Sequence, residues 1–495
     1  MSERKETSTV GEFSPTDTNL NESNSLIALQ QFGEGSSADQ VLRDRGLTSD
    51  QIDLEKLSRE VSNPAFFYAA PECKTQPEAD LGVTFAGDWS TPHSGVSRAV
   101  RGYLRALRAA GIPFRVTHGH VDDATLEFTN PGALLDVHGA RELRIKRPFA
   151  HIVFTVGGKA LERSLYPHNH ASPYFDEVDR QARARTIVIM PFERDRLSER
   201  EVELLNECAQ VWGVCYSNVR ALERSGVRPD KIHLMPHSVD MSSPLVRLHK
   251  GVMTTTDATY WFYSIGKWEP RKDQATLIRA FLREFRPGEP VGLMVRFPAF
   301  WNVPGSKYPV SLSACLSKFL PSTANIHEWT RADVEKHIVA PDHELSEATL
   351  LAIHSRCHCF VTASHGEAWD FPAFDAHCIG NRVIHLCGSG HEMYLSVRER
   401  LSLENKLAAC DPEYGWGDAR WETLDTLEED LGEAMREAFT KKALSPGRFE
   451  LNTLSDGAVG KRMLGCMADM YPEPYKTELL KAFGGADQRE SETSP

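Results

Sequence analysis

Twice along this 495-residue chain, short apolar runs alternate with segments whose hydrophobic residues recur at helical spacing, and no other feature narrows the fold as far. The first series opens with LGVTFAG and passes into a segment where Val96, Val100, Tyr103, Leu104 and Leu107 make one apolar helical face. AHIVFTV (150–156) and RTIVIM (185–190) follow, each a short run of the kind a parallel sheet buries on both faces. Ser198 with Glu201 three residues on reads as a capping box ahead of the next helix. A second series runs from WFYSIGKW through VGLMVRF to CFVTAS. Its first helix has Asp273 as N-cap and Leu277, Ile278, Phe281, Leu282 and Phe285 along one face. Between the two, MSSPLVRLHKGVMTTTDA loses all periodicity, as a linker would. The expectation is α/β: two doubly wound domains in tandem.

The folded body is expected to begin at Leu81, with a first domain over 81–240, a linker over 241–257 and a second domain over 258–445. Thr426 and Glu429 suggest another capping box near the end of that domain. Residues 446–483 look helical and are expected to cross back onto the first domain. The first 50 residues, rich in Ser, Thr, Asn, Glu and Gly, read as disordered, and 484–495 as a loose tail. A short helical pattern, DQIDLEKLSREV, lies between that tail and the folded body.

Composition excludes several classes of function. A net charge of −13 argues against nucleic acid as the main partner, because phosphate backbones are held by clustered Lys and Arg. No apolar run approaches the ~20 residues that span a bilayer, and no apolar stretch follows the early charges as in a secretory signal, so a cytoplasmic location is expected. The ten cysteines lack paired C-x2-C spacing and read as reduced, mostly buried thiols. His354, Cys357, His358 and Cys359 are expected to alternate along a strand and so to point to opposite faces, and no metal site is expected.

The chemistry concentrates in SHGEAWDFPAFDAHCIGNRVIH, from Ser364 to His385. Pro372 suits the first helical position and Gly380 a left-handed stop, which predicts a helix over 372–379 and a buried strand beyond it. Glu367 then stands just ahead of a helix N-terminus and Asp375 one turn inside it, where free N–H groups and the helix dipole favour an anion. In the first domain Gly95 closes a strand-to-helix loop where a backbone can approach a phosphate. His118 and His120 end a strand and His237 precedes the linker, each as readily a structural histidine as a functional one, while Glu193 follows a strand in VIMPFERDRLSE.

EAWDFPAFDAHCIGNRVI, residues 367–384, resembles the signature of retaining glycosyltransferases of family 4: an acidic residue, a Gly-aromatic-Gly turn, Pro, a second carboxylate eight positions after the first, and Gly before a strand. SIGKWEPRKDQATLIRAF resembles that family's basic loop, CYSNVRALERSGVRPDKIHLMPHSVD the end of its first domain, and LSEATLLAIHSRCHCFVTAS the helix and strand leading into the acidic motif. The resemblance covers about Leu81 to Lys442 with its motifs in order.

It implies the GT-B fold, two Rossmann-like domains facing across a cleft, with the first on the acceptor side and the second binding the nucleotide sugar. It also implies a retaining hexosyltransferase with no cofactor beyond its UDP- or GDP-linked donor, no metal, and an unidentified hydroxyl acceptor that could be a glycan, a lipid-linked group or a small molecule. Lys267 and Lys272 would hold the donor diphosphate, Glu367 the sugar hydroxyls and Asp375 the ribose, with Gly95, Gly266, Asp370 and Phe371 also beside the donor. Asp375 stands where the family usually has Glu, Ala368 and Asp370 where it has Gly, and Asp370 could crowd the sugar or divert the backbone. The alternatives are a catalytically silent nucleotide-sugar-binding protein of the same fold and, more remotely, an epimerase or phosphorylase.

Overall fold

The computed structural model describes residues 78–89, 94–117, 144–165, 182–241, 243–247, 259–296, 329–340, 347–396, 401, 405–414, 416–441 and 451–483. The N-terminal tail, the early helical pattern, His118, His120 and the last twelve residues lie outside them.

In the first domain β1 (Glu78–Ala86), β2 (Phe114–Thr117), β3 (Arg144–Phe154), β4 (Thr186–Ile189), β5 (Gln210–Gly213) and β6 (Ile232–Leu234) form one parallel sheet in the order β2-β1-β3-β4-β5-β6. Strand β1 is already paired three residues before Leu81, where Glu78 lies opposite Arg144. Between these strands run α1 (Gly95–Ala109), α2 (Gly158–Leu165), α3 (Glu199–Glu207) and α4 (Tyr216–Ser225). Helix α1 buries Val100, Tyr103, Leu104 and Leu107, the stripe its period predicts. The capping box of α3 forms: the Ser198 hydroxyl accepts from Glu201 N–H while the Glu201 carboxylate accepts from Ser198 N–H.

A single helical turn, α5 (Pro244–Arg247), lies in the segment expected to be an aperiodic linker. In the second domain β7 (Tyr260–Ile265), β8 (Val291–Arg296), β9 (Ile338–Val339), β10 (Cys359–Val361) and β11 (Arg382–Ile384) are ordered β11-β10-β7-β8-β9, again all parallel. Its helices are α6 (Gln274–Glu284), α7 (Arg331–His337), α8 (Glu347–Arg356), α9 (Phe371–Cys378) and α10 (Leu427–Lys441). Strands β7, β8 and β10 are buried at every residue, which is why they read as unbroken apolar runs. A small antiparallel pair, β12 (Lys406–Ala409) with β13 (Arg420–Thr423), flanks the sheet.

Two local expectations are corrected. The Thr426 hydroxyl bonds the Asp430 carboxylate at 2.8 Å and Glu429 pairs with Arg283 at 2.6 Å, so Glu429 is drawn to a cation on α6 and not back to the helix start. The His354-to-Cys359 group does not alternate along one strand. His354 lies in the last turn of α8 and bonds Tyr263 Oη at 2.9 Å, and His358 Nδ1 accepts from Trp261 N–H at 3.0 Å before β10 begins.

The chain then returns to the first domain. Helix α11 (Asp456–Ala468) packs along α1, and α12 (Tyr475–Phe483) follows it. Val239 N–H donates to Leu454 O at 2.8 Å, Arg105 pairs with Asp456 at 2.9 Å, and the Gln210 amide donates to Cys466 O at 2.6 Å. Two doubly wound parallel domains joined by this crossing helix are the GT-B arrangement. No helix among the described residues is long and apolar enough to cross a membrane.

Candidate functional site

In the second sheet the chain leaves β7 to one side for β8 and returns on the other side as β10, so the crevice at the carboxyl ends of β7 and β10 is the topological switch point where doubly wound sheets bind ligands. The basic loop follows β7 and the acidic motif follows β10. Residues nearly a hundred positions apart meet there for a topological reason.

Lys272 Nζ lies 2.6 Å from the Glu367 carboxylate, and Arg271 lies 2.9 Å from the same oxygen. Arg271 also donates to Gly366 O and to Glu269, each at 2.6 Å, and the Ser364 hydroxyl donates to Glu367 at 2.5 Å. Burial alone would raise the Glu367 pKa, but Arg271 and Lys272 outweigh it and hold the carboxyl ionised, below its ordinary value. Burial opposes the Lys272 charge, yet Asp370 and then Glu367 lift its pKa above that of a free lysine. The Lys272 stem runs along Gly266, where an added Cβ would touch it at 3.5 Å. Lys267, in the same loop, has its pKa lowered by burial, opposed by Glu269.

Helix α9 begins at Phe371 and ends at Cys378, one residue earlier at each end than Pro372 suggested, because Asp370 occupies the N-cap position. Asp370 has φ 64°, the left-handed region that glycine enters freely and aspartate tolerates better than most residues. The turn is therefore built without glycine at residue 370, and the side chain goes inward. Its Oδ2 meets His391 Nε2 at 3.1 Å, His391 Nδ1 meets the Ser389 hydroxyl at 2.5 Å, and Oδ1 stands 3.6 Å from Lys272. The neighbouring Gly390 is required by crowding, since a Cβ there would fall 2.1 Å from Ala368 O.

The first domain reaches this centre through four residues. Arg98, in the first turns of α1, grips Asp375 with two hydrogen bonds of 2.6 Å each, and its guanidinium lies 4.5 Å from the centre of the Phe371 ring. Gly95 begins α1 against Phe371, whose ring would stand 3.5 Å from an added Cβ. His237 stacks on Phe371 with ring centres 5.3 Å apart and bonds Tyr103 Oη at 3.1 Å; burial drives its pKa down to about 3, so it is a neutral packing group. The loop after β4 brings the Glu193 carbonyl against Gly366, to within 2.5 Å of where a Cβ would be. Burial raises the Glu193 pKa, with Arg271 opposing it.

No family model matches the chain, and no curated protein does. Among solved structures it is similar to Anabaena HepE in complex with UDP-glucose, at 12% identity over 83% of this chain and 99% of that one, with a TM-score of 0.43. It is also similar to an α,α-trehalose-phosphate synthase (UDP-forming) from Burkholderia xenovorans in complex with glucose-6-phosphate, at 11% identity over 82% and 100%, TM-score 0.46. The pneumococcal O-GlcNAc transferase GtfA in complex with UDP and GlcNAc matches at 10% identity over 65% and 57%, TM-score 0.40. These are likenesses of outline, and nothing about the site follows from them.

Of the residues singled out in the sequence, Gly266, Lys272, Glu367 and Asp370 converge in one cluster with Lys267 in the same loop, while Gly95, Phe371 and Asp375 form the facing contact between domains. Arg98, Arg271, Ser389 and His391 were missed. Arg271 could have been noticed beside Lys272 in the basic loop; Arg98 and His391 carry no local signal, because Asp375 and Asp370 are remote in sequence, and Ser389 enters only through His391.

A second group of charges joins the domains at the edge of the cleft. Asp195 accepts from Arg420 N–H at 2.7 Å and from its guanidinium at 3.0 Å, and Arg220 pairs with Glu392 at 3.5 Å. Glu422, near these groups, has its pKa pushed up to about 6 by burial, opposed by Arg224. A carboxyl whose folded pKa is raised contributes stability at low pH that is lost as pH rises through the folded value. Glu422→Gln is therefore expected to melt with the wild type below pH 4.5 and above it in temperature past pH 6, in thermal melts across that window.

Proposed function

We propose that this chain is a retaining glycosyltransferase of the family 4 type, moving a hexose-type sugar from a UDP- or GDP-linked donor to a hydroxyl acceptor. The observation that carries the reading is the meeting of Lys272 with Glu367, 2.6 Å apart, at the switch point of the second sheet and opposite the start of α1. In glycosyl transfer the bond between the anomeric carbon and the diphosphate breaks, and negative charge gathers on the leaving phosphate. Lys267, Lys272 and Arg271 supply cations for that charge, a kind of stabilisation worth ~3 kcal/mol per well-placed donor. Glu367 accepts hydrogen bonds from sugar hydroxyls, since a carboxylate can receive two without donating. Asp375 takes the ribose hydroxyls, sharing or exchanging its Arg98 partner.

The acceptor oxygen attacks from the face the phosphate leaves, and its proton passes to the departing phosphate oxygen. No second carboxylate flanking the bond is needed, unlike the pair in a glycosidase. A nucleotide-sugar-binding protein without turnover would use the same donor contacts.

A panel of UDP- and GDP-sugars separates these readings. The transferase is expected to release nucleotide from one of them, with Lys272→Ala abolishing release and the product anomer, read by NMR, matching that of the donor. Tight donor binding without release under any acceptor mixture would favour the silent binder, and a panel that neither binds nor shifts the melting temperature would refute both.

A further inference from the structure

Lys272 has two carboxylates within reach and is hydrogen-bonded to only one. Its ammonium rests on Glu367 at 2.6 Å, while Asp370 Oδ1 waits at 3.6 Å with no hydrogen-bond partner of its own. The Asp370 side chain is 1% exposed, so that oxygen is shut away from solvent, and a buried carboxylate oxygen with a distant cation and no hydrogen bond is costly. The backbone there is held at φ 64°, which adds to the cost. The other oxygen is pinned by His391, itself buried and braced by Ser389, so the carboxylate cannot swing away. Such an arrangement keeps an anion in reserve beside a lysine whose present partner has other work.

We propose that Asp370 is a positioning residue that takes over as the counter-ion of Lys272 when Glu367 turns to the donor sugar, keeping the ammonium charged and aimed at the diphosphate, with His391 and Ser389 fixing Asp370 for that exchange. The inference rests on the donor reading above. Without a second carboxylate, Glu367 could not leave Lys272 for the sugar hydroxyls without stranding a buried cation. Burial works against the Lys272 charge, and Asp370 and Glu367 together uphold it, Glu367 from the nearer position. The charged and titratable groups around Lys272 are Lys267, Glu269 and Arg271 from its own loop, Glu367 with Asp370 ahead of α9, His391 after β11, and Glu193 from the first domain. Of these carboxylates, Glu269 is engaged by Arg271 at 2.6 Å, whereas Asp370 stands 3.6 Å from the ammonium itself.

The test compares a nucleotide with its sugar conjugate. UDP and UDP-glucose, or GDP and GDP-mannose if the protein binds guanine nucleotides, are titrated calorimetrically into wild type and Asp370→Asn from pH 7 to pH 9. Asparagine tolerates positive φ and keeps a group facing His391, so the fold is retained. Asp370→Gly, which relieves the backbone altogether, serves as a second variant. Wild-type affinity for both ligands is expected to stay level across the range. Each variant should hold its affinity for the bare nucleotide, where Glu367 still serves Lys272. It should lose about tenfold for the sugar conjugate as pH rises, as Lys272, without its second carboxylate, gives up its proton more readily. A merely structural role for Asp370 would shift both ligands alike. If the variants' profiles for the sugar conjugate overlie the wild type, the exchange does not occur and the donor reading survives. If the wild type binds neither pair, the two fall together.

Discussion

Replacing Glu367 with glutamine is expected to cost about 3 kcal/mol of stability at neutral pH and to lower nucleotide release by roughly 10²–10³-fold. The carboxylate neutralises Lys272 and Arg271 at 2.6 and 2.9 Å inside a buried cluster, and removing one member of such a set strands charge that water cannot reach. Arg271 keeps Glu269 and the Gly366 carbonyl, and Lys272 keeps Asp370, so the loss falls at the low end of the range for broken buried pairs. The sign of its pH dependence follows from the depressed pKa. A carboxyl held below its ordinary value contributes stability above that value and forfeits it as pH falls through the folded one. The gap in melting temperature between wild type and Glu367→Gln should therefore be full at pH 7 and close progressively below pH 4.5. Equal melting at neutral pH would mean that the cluster does not hold the two cations as described.

Gly460→Ala should be nearly as damaging, although it lies far from the switch point. Alanine favours a helix interior over glycine by about 1 kcal/mol, so propensity alone predicts a gain. Packing predicts the reverse, because a Cβ at residue 460 would sit 2.1 Å from Ala106 O and 3.1 Å from Ala110 Cβ. Both are on or beside α1, and a backbone carbonyl cannot turn aside as a flexible side chain can. Helix α11 would have to lift from α1, loosening Val459, Met463, Leu464 and Met467, all of them buried. Each such side chain is worth about 1.5–3 kcal/mol when fully buried, so even partial separation outweighs the propensity. We expect a net loss of about 2–3 kcal/mol, at the upper end of overpacking costs, read as a lower denaturant midpoint. Unchanged stability would mean that α11 does not bind this closely.

The two results concern two levels of assembly, a charge cluster inside the second domain and the packing of the chain's end on the first. Glu367 belongs to a cluster that the basic loop and the acidic motif build by themselves, with Glu193 and Gly366 in contact above it. Gly460 belongs to the crossing helix that ties the end of the chain to α1, the same helix that carries Arg98 to Asp375.

Local patterns in the sequence determined the α/β alternation, the α1 stripe, the Asp273 cap and the Ser198–Glu201 box, because each depends on neighbours within one or two turns of backbone. Glu367 and Asp375 stood out beside a helix start, and the resemblance added Lys267 and Lys272 by register and a role for each of the four. What the sequence could not contain was the set of partners: Arg98 on Asp375, separated by 277 positions, and His391 on Asp370, separated by 21. Asp370 shows the difference most sharply. From sequence it was a misfit in a glycine turn, free to crowd the sugar. In the folded chain it keeps the left-handed backbone and turns inward to His391 and Lys272. A side chain's direction is settled by which buried charges lie within a few ångströms, and that distance is a property of tertiary packing alone.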